Sequence, residues 1–166
     1  MKYKKINWNP IDYPSGLLQD QYFPDRWKIA VICILLNCTK RTQVEKILDK
    51  LFFIAPNPLE FINCNESLIK EIIAPLGFKN IRYNRAKSFS EDYIKGNWKY
   101  LIECRGIGQY ADACDRMYFL GEFGENPPKD HALTNLWHLV MENEHERINN
   151  YTNSIKRFNE SCKEPN

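Results

Sequence analysis

The sequence predicts an all-α fold, and three observations carry that expectation. Val44, Ile47, Leu48 and Leu51 recur at i, i+3, i+4, i+7, the spacing of one buried helical face. Residues suited to helix starts and stops stand at the segment boundaries: Asp25, Asn57 and Asn65 before apolar stretches, Pro56 and Gly77 after them. No run alternates apolar and polar residues between hairpin-turn dipeptides, as half-buried strands do.

Taken in order, residues 1–16 contain Pro10 and Pro14 with little periodicity and read as an N-terminal arm. Asp25 caps a buried helix running to about residue 37, apolar on every side between Ile29 and Leu36. The amphipathic helix around residues 44–51 ends before Pro56, because the residue preceding a proline is pushed out of the helical region. Asn57 and Asn65 start two further helices, the second ending near Pro75-Leu76-Gly77 with Gly77 as the left-handed terminator. A basic helix follows over residues 80–95, then a short helix over 98–104, a turn at Gly106-Ile107-Gly108, and a helix over 109–119. Two glycines and two prolines make residues 121–129 a loop. A last amphipathic helix covers 130–144, followed by a polar C-terminal tail, residues 146–166.

The bulk numbers exclude several classes. The chain has 166 residues, enough for one domain or two small lobes sharing a core, and its 43% hydrophobic and 13% aromatic content supports such a core. A net charge of +2 gives no global attraction to a polyanion. Any nucleic-acid face must come from local clusters: Lys40-Arg41, then Arg82, Arg85 and Lys87, then Lys99 and Arg105. On charge alone these read as solvated helix faces. The six cysteines, Cys33, Cys38, Cys64, Cys104, Cys114 and Cys162, form no C-x-x-C pair and suggest neither a zinc site nor a disulfide framework. The longest apolar run, residues 29–36, falls short of the ~20 residues a membrane span requires, and the basic N-terminus is not followed by an apolar core. These features predict a soluble, intracellular, reduced protein.

Two local features point to chemistry. Gly106-Ile107-Gly108 between helices lets the backbone turn tightly and approach a ligand; free N–H groups at the start of the next helix suit a phosphate. Asp130 follows Pro127-Pro128-Lys129 at the start of the last helix. Read alone it is an N-cap. Read with the hairpin, it is a carboxylate placed to support positive charge developing on a sugar. Asp115 with Arg116 reads as a structural polar pair, and Trp27 and Trp137 as core. His131 is either a site residue or an exposed first-turn residue; His138 and His145 lie on a helix face and the surface.

Read together, Leu18-Gln19-Asp20, Phe23-x-Asp25-x-Trp27-Lys28, Leu36-Asn37-x-Thr39, Pro75-Leu76-Gly77, Trp98-Lys99-Tyr100, Gly106-Ile107-Gly108-x-Tyr110 and Asp130-His131-x-Leu133 occur in an order that resembles one family. It is the glycosylase domain of the methyl-CpG-binding-domain DNA glycosylases, within the helix-hairpin-helix superfamily that also includes endonuclease III. The resemblance covers roughly residues 17–142, and we set the domain at 17–145. It implies an all-α helix-hairpin-helix glycosylase fold with two helical lobes flanking an active-site cleft.

The implied activity is excision of thymine or uracil mispaired with guanine in double-stranded DNA, with 5-hydroxymethyluracil or halogenated uracil as further substrates. The resemblance assigns Asp130 as the catalytic carboxylate and Gln19 and Tyr110 to the base pocket. It assigns Arg105, Gly106, Ile107 and Gly108 to the DNA backbone, Phe78 to a loop probing the strand, and Cys38 with Lys40 and Arg41 to the place where a wedge enters the duplex. It further implies a monomer acting in the nucleus, upstream of an abasic-site endonuclease. Bifunctional relatives carry a lysine nucleophile where this chain has Tyr110, so no Schiff base forms from this position and a monofunctional enzyme is expected. Only Cys162 lies beyond Cys114, so no iron–sulfur cluster, and no other cofactor, is expected.

The departures from the family pattern are specific. Cys38 replaces an inserted arginine, Ala132 a lysine, Ala111 a glycine, and Arg105 a proline or histidine of the hairpin, where it could add a phosphate contact. No methyl-CpG-binding domain is expected within these 166 residues. Two alternatives stay open: the same scaffold acting on a different damaged base, and a non-catalytic DNA-binding module.

Overall fold

The computed structural model describes residues 2–161 and contains two hydrophobic cores with one helix shared between them. That helix is α1 (Arg26–Leu36), in which eight consecutive-to-near residues, Trp27 and Ile29 to Leu35, are buried. A helix apolar on all sides has no solvent face to offer and becomes the centre of a fold. Trp27, Ala30, Val31 and Ile34 face the first core, whereas Ile29 and Cys33 face the second.

The first core is closed by α2 (Arg41–Ile54), α3 (Pro58–Asn63), α4 (Glu66–Ile73) and α5 (Lys79–Lys95). Val44, Ile47, Leu48 and Leu51 are all buried in it, as their spacing predicts. Asn57 and Asn65 cap α3 and α4, each accepting a backbone N–H through its side chain. Asp25 likewise accepts the Lys28 N–H at 2.9 Å. Each such cap satisfies a donor left over at a helix start, a contribution of ~1 kcal/mol. Inside this lobe the Trp27 indole N–H donates to the Ser90 hydroxyl at 2.9 Å, and Ser90 donates on to Ala86 O at 2.7 Å.

The second core is built from α6 (Gln109–Asp115), a π-helical turn (Arg116–Leu120) and α7 (His131–Ser161), with Cys114, Leu133, Leu136 and Val140 buried. A single-turn 3-10 segment, Leu101–Glu103, leads into the hairpin before α6, where a somewhat longer helix is expected.

Three elements depart from the sequence reading. Residues 3–5 form β1 (Tyr3–Lys5), paired antiparallel with β2 (Glu122–Gly124), which lies inside the expected loop. Behind β1, Ile6 and Trp8 are buried in the second core, so the segment expected as an arm packs as part of that lobe. Pairing of three-residue strands more than a hundred residues apart in sequence leaves no local alternation to read. The last helix runs on to Ser161 rather than ending near residue 144. The expected Asp115–Arg116 pair is replaced by two others: Asp115 binds Arg26 at 2.6 and 2.7 Å, while Arg116 bridges Asp112 and Glu122, each at 2.8 Å. Neighbours in sequence on a helix point about 100° apart, so each reaches a different element. Cys162 lies outside the described residues; the other five cysteines are free thiols.

Candidate active site

Where α1 ends, between the two lobes, a cavity of about 310 Å³ opens, at the small end of ligand-sized pockets. Its walls bring together Gln19 from a 3-10 turn (Leu18–Tyr22), Cys38 and Thr39 from the turn after α1, Arg41 from the start of α2, Tyr110 from α6, and Asp130 with Ala132 from the start of α7. Gln19, Tyr110 and Asp130 are far apart in sequence and meet here.

Each is held by identifiable bonds. Gln19 is 1% exposed, and its amide N–H groups donate to the Tyr110 hydroxyl at 2.8 Å and to Cys33 Sγ at 3.5 Å. Its turn is anchored by Asp20, which accepts from the Ser15 hydroxyl at 2.7 Å, the Gly16 N–H at 2.8 Å and the Tyr118 hydroxyl. Burial drives the Tyr110 phenol well above its ordinary pKa, so it remains a neutral hydrogen-bonding group. Asp130 is the N-cap of α7 and also stands in the cavity wall. Its Oδ1 accepts from Ala132 N at 2.9 Å and Leu133 N at 3.1 Å, capping α7, while the residue also lines the cavity. The Thr134 hydroxyl bonds Pro128 O and Asp130 O at 2.7 and 2.8 Å, which fixes the backbone on either side of the carboxylate.

The hairpin at residues 104–108 stands directly before α6, two residues ahead of Tyr110. Gly106 has φ +81°, and a Cβ there would lie 2.2 Å from Arg85 O, so no other residue fits. Arg85 Nε donates to Gly106 O at 2.9 Å and clamps the turn to α5. Arg105 points back to the same helix: it binds Asp92 at 2.9 and 2.8 Å and Glu91 at 2.9 Å. Its charge is thus already matched within the protein. Hydrogen bonds from Arg105, the largest cause, hold the Asp92 carboxyl well below its ordinary pKa. Ile107 packs against both cores, and Gly108 is the residue from which α6 begins.

The remaining site candidates sit around the mouth. Cys38 is exposed with φ 56° and lines both this cavity and a smaller one of about 160 Å³. Phe78 is 73% exposed with φ 49° and lines the smaller cavity. Arg41 is committed to Glu45 and to Gly16 O, both at 2.6 Å, and so braces the Gln19 turn. Lys40, exposed at the start of α2, keeps its side chain toward solvent. His131, His138 and His145 are exposed. Trp27 is core as expected; Trp137 is half-buried, its indole N–H on Gly124 O at 2.8 Å. Among the described residues no cluster of three or more His, Cys, Asp or Glu could hold a metal ion.

Arg82 belongs to a basic cluster in the sequence, yet it is 4% exposed and hydrogen-bonded beneath the site. The readable signal is register: Arg82 shares the i, i+4, i+7 stripe with buried Ala86 and Phe89.

No protein-family model matches the chain. Among curated proteins it is 29% identical over 130 residues to a methyl-CpG-binding domain protein 4-like protein of Arabidopsis thaliana, covering 78% of this chain and 29% of that one. It is 30% identical over 95 residues to a thymine/uracil-DNA glycosylase of Pyrobaculum aerophilum, covering 52% of this chain and 41% of that one. It is also 30% identical over 96 residues to a thymine-DNA glycosylase of Aeropyrum pernix, covering 52% and 42%. The chain therefore spans less than half the length of each of these relatives. The solved structure of a thermostable thymine-DNA glycosylase superposes with a TM-score of 0.54 at 24% identity, over 60% of this chain and 49% of that one. The relatives bear out the resemblance to this kind of glycosylase domain, and the superposition bears out the fold.

Proposed function

We propose that this chain is a monofunctional DNA glycosylase that removes thymine or uracil mispaired with guanine from double-stranded DNA. The observation that carries the reading is the meeting of Gln19, Tyr110 and Asp130 in one base-sized cavity beside the glycine hairpin.

A base inside a duplex is out of reach, so the nucleotide must rotate out, at a cost of a few kcal/mol that a mismatch reduces. The N–H groups from Gly108 into the start of α6 hold the backbone phosphates, a role Arg105 leaves to them because it is paired with Asp92 and Glu91. Lys40 supplies a further phosphate contact. Phe78 enters the strand near the vacated position as an apolar wedge, a place where Cys38 is too short to serve.

In the pocket, both Gln19 N–H groups are engaged by Tyr110 and Cys33, which directs Oε1 to accept from the imide N–H of thymine or uracil. Tyr110 packs against the base. Cleavage breaks the C1′–N1 bond, the electron pair leaves with the base, and oxocarbenium character develops at the sugar. Asp130, steadied through Oδ1, offers Oδ2 to that charge and takes a proton from the water that bonds to C1′. The proton then passes from Asp130 through solvent to the departed base anion, so the products are a neutral free base and an abasic site, which a strand-cutting endonuclease must process. The expected monomeric state and nuclear location belong to the same reading.

Single-turnover cleavage of labelled duplexes carrying one G·T, G·U or A·T pair, with and without hot alkali, tests it. Breaks that require alkali and arise from G·T and G·U alone are expected. Breaks without alkali would overturn the monofunctional assignment. Salt-sensitive binding with no breaks at all would favour a binding module.

A further inference from the structure

The guanidinium of Arg82 lies at the back of the turn that closes α1, and almost every group it touches is a carbonyl oxygen. Nε donates to Gly77 O at 2.9 Å. Nη1 donates to Ile34 O at 3.2 Å and Leu35 O at 2.8 Å. Nη2 donates to Asn37 O at 2.9 Å, to Leu76 O at 3.3 Å and to the Thr39 hydroxyl.

These acceptors belong to two separate turns. Asn37-Cys38-Thr39 leaves α1, and Leu76-Gly77-Phe78 enters α5. A buried cation is costly without hydrogen bonds. Here the unpaired carbonyls at the C-terminus of α1, which carry the negative end of the helix dipole, surround it in place of a carboxylate. Burial lowers the Arg82 pKa only from a very high starting value, so the charge persists. A planar fork of five N–H groups is the side chain able to serve so many acceptors at once.

Each turn also carries a residue in the left-handed region that lines the smaller cavity. Cys38 (φ 56°) and Phe78 (φ 49°) are the two non-glycine residues with positive φ in the chain's described part, and both line the 160 Å³ cavity. Left-handed conformations of such residues persist where the surroundings hold them.

We infer that Arg82 is a positioning residue that locks the Cys38 turn and the Phe78 turn into one rigid unit, so that strand insertion by Phe78 and entry of a base past Cys38 occur in fixed relation. The catalytic consequence rests on the glycosylase reading above; the coupling of the two turns does not.

Arg82→Lys and Arg82→Met separate these points. Lysine keeps the charge but has one nitrogen and cannot bridge both turns. Amide hydrogen exchange in the free, folded variants should accelerate about tenfold in residues 37–39 and 76–79 together, with residues 104–108 unchanged. Thr39→Val, which removes an acceptor from one turn only, should raise exchange in the other turn as well. Single-turnover cleavage should fall ~10²-fold while affinity for an undamaged duplex stays within about twofold. Exchange that rises in one turn alone, or in neither, overturns the coupling whether or not the wild type cleaves DNA. Exchange that rises in both turns with an unchanged cleavage rate overturns the catalytic consequence. A wild type that cleaves nothing sinks the glycosylase reading and leaves the exchange data to decide the coupling. Should Arg82→Met not fold, the Lys and Thr39 variants carry the same comparison.

Discussion

At the scale of single residues, Asp130 joins two demands that mutation can separate. One oxygen caps α7, and the other is the group assigned to the chemistry. Asparagine caps a helix about as well as aspartate, but it cannot stabilise positive charge or accept a proton from water. Asp130→Asn should therefore melt within a few tenths of a kcal/mol of wild type, yet lose ~10²–10⁴ in single-turnover rate. Asp130→Ala should lose the same activity and a further ~1 kcal/mol of stability. Paired thermal melts and cleavage assays read both quantities, and an Asn variant that keeps its rate would remove Asp130 from the mechanism. Gln19, Tyr110 and Asp130, which line one cavity, were legible as a group because a resemblance fixes residue identity at spaced positions. Arg82 was not. Its charge suggests a surface, and the carbonyl-lined space that accepts it exists only once α1, α4 and α5 have packed.

At the scale of elements, the hairpin and α5 form one device. Gly106 is demanded twice, by its φ of +81° and by the Arg85 carbonyl 2.2 Å from any Cβ. Gly96 provides the comparison: its φ is +67°, but open space surrounds a Cβ there. Gly96→Ala should cost only the left-handed penalty of ~1–2 kcal/mol and leave duplex binding intact. Gly106→Ala should cost more and abolish binding, because relief of the overlap must move the hairpin; gel-shift titration beside denaturant melts distinguishes the two. The Asp92–Arg105 pair adds a pH signature. The folded-state pKa of Asp92 is depressed below its ordinary 3.8, so its contribution is present above that value and is lost as pH falls below it. The stability difference between wild type and Asp92→Asn should be full at neutral pH and shrink below about pH 4. A difference constant across that range would mean the pair contributes nothing through its charge. Helix starts were readable because caps and stripes are local. The partners of Arg105 and Asp115, and the Glu122 partner of Arg116, were not, because each reaches across to another element.

At the scale of the whole molecule, the N-terminus is tied to the pocket through one chain of contacts. Trp8 is 7% exposed and packs edge-on against Tyr118, ring centroids 5.2 Å apart, and against Phe123 at 6.3 Å. Tyr118 in turn bonds Asp20 and Ser15, which set the turn that carries Gln19. Beside it, Ile6 N donates to Gly121 O at 2.9 Å, and Gly121 leaves no room for a Cβ, which would lie 2.5 Å from Ile6 O. The two-lobed plan was legible through the resemblance and the buried α1 through its apolar run, whereas this closure was not, since three-residue strands more than a hundred residues apart in sequence carry no pattern of their own. It follows that the folded unit begins before residue 17 and includes residues 3–8. Trp8→Ala should destabilise by ~3–5 kcal/mol, the usual cost of emptying a large aromatic site. Because Tyr118 loses its packing partner, the single-turnover rate measured well below the melting transition should also fall, by more than the unfolded fraction explains. Trp8→Phe should restore most of both, since an aromatic ring can still meet Tyr118 edge-on. A Trp8→Ala protein that is less stable but cleaves at the wild-type rate per folded molecule would show that the N-terminal segment supports the second lobe without reaching the pocket.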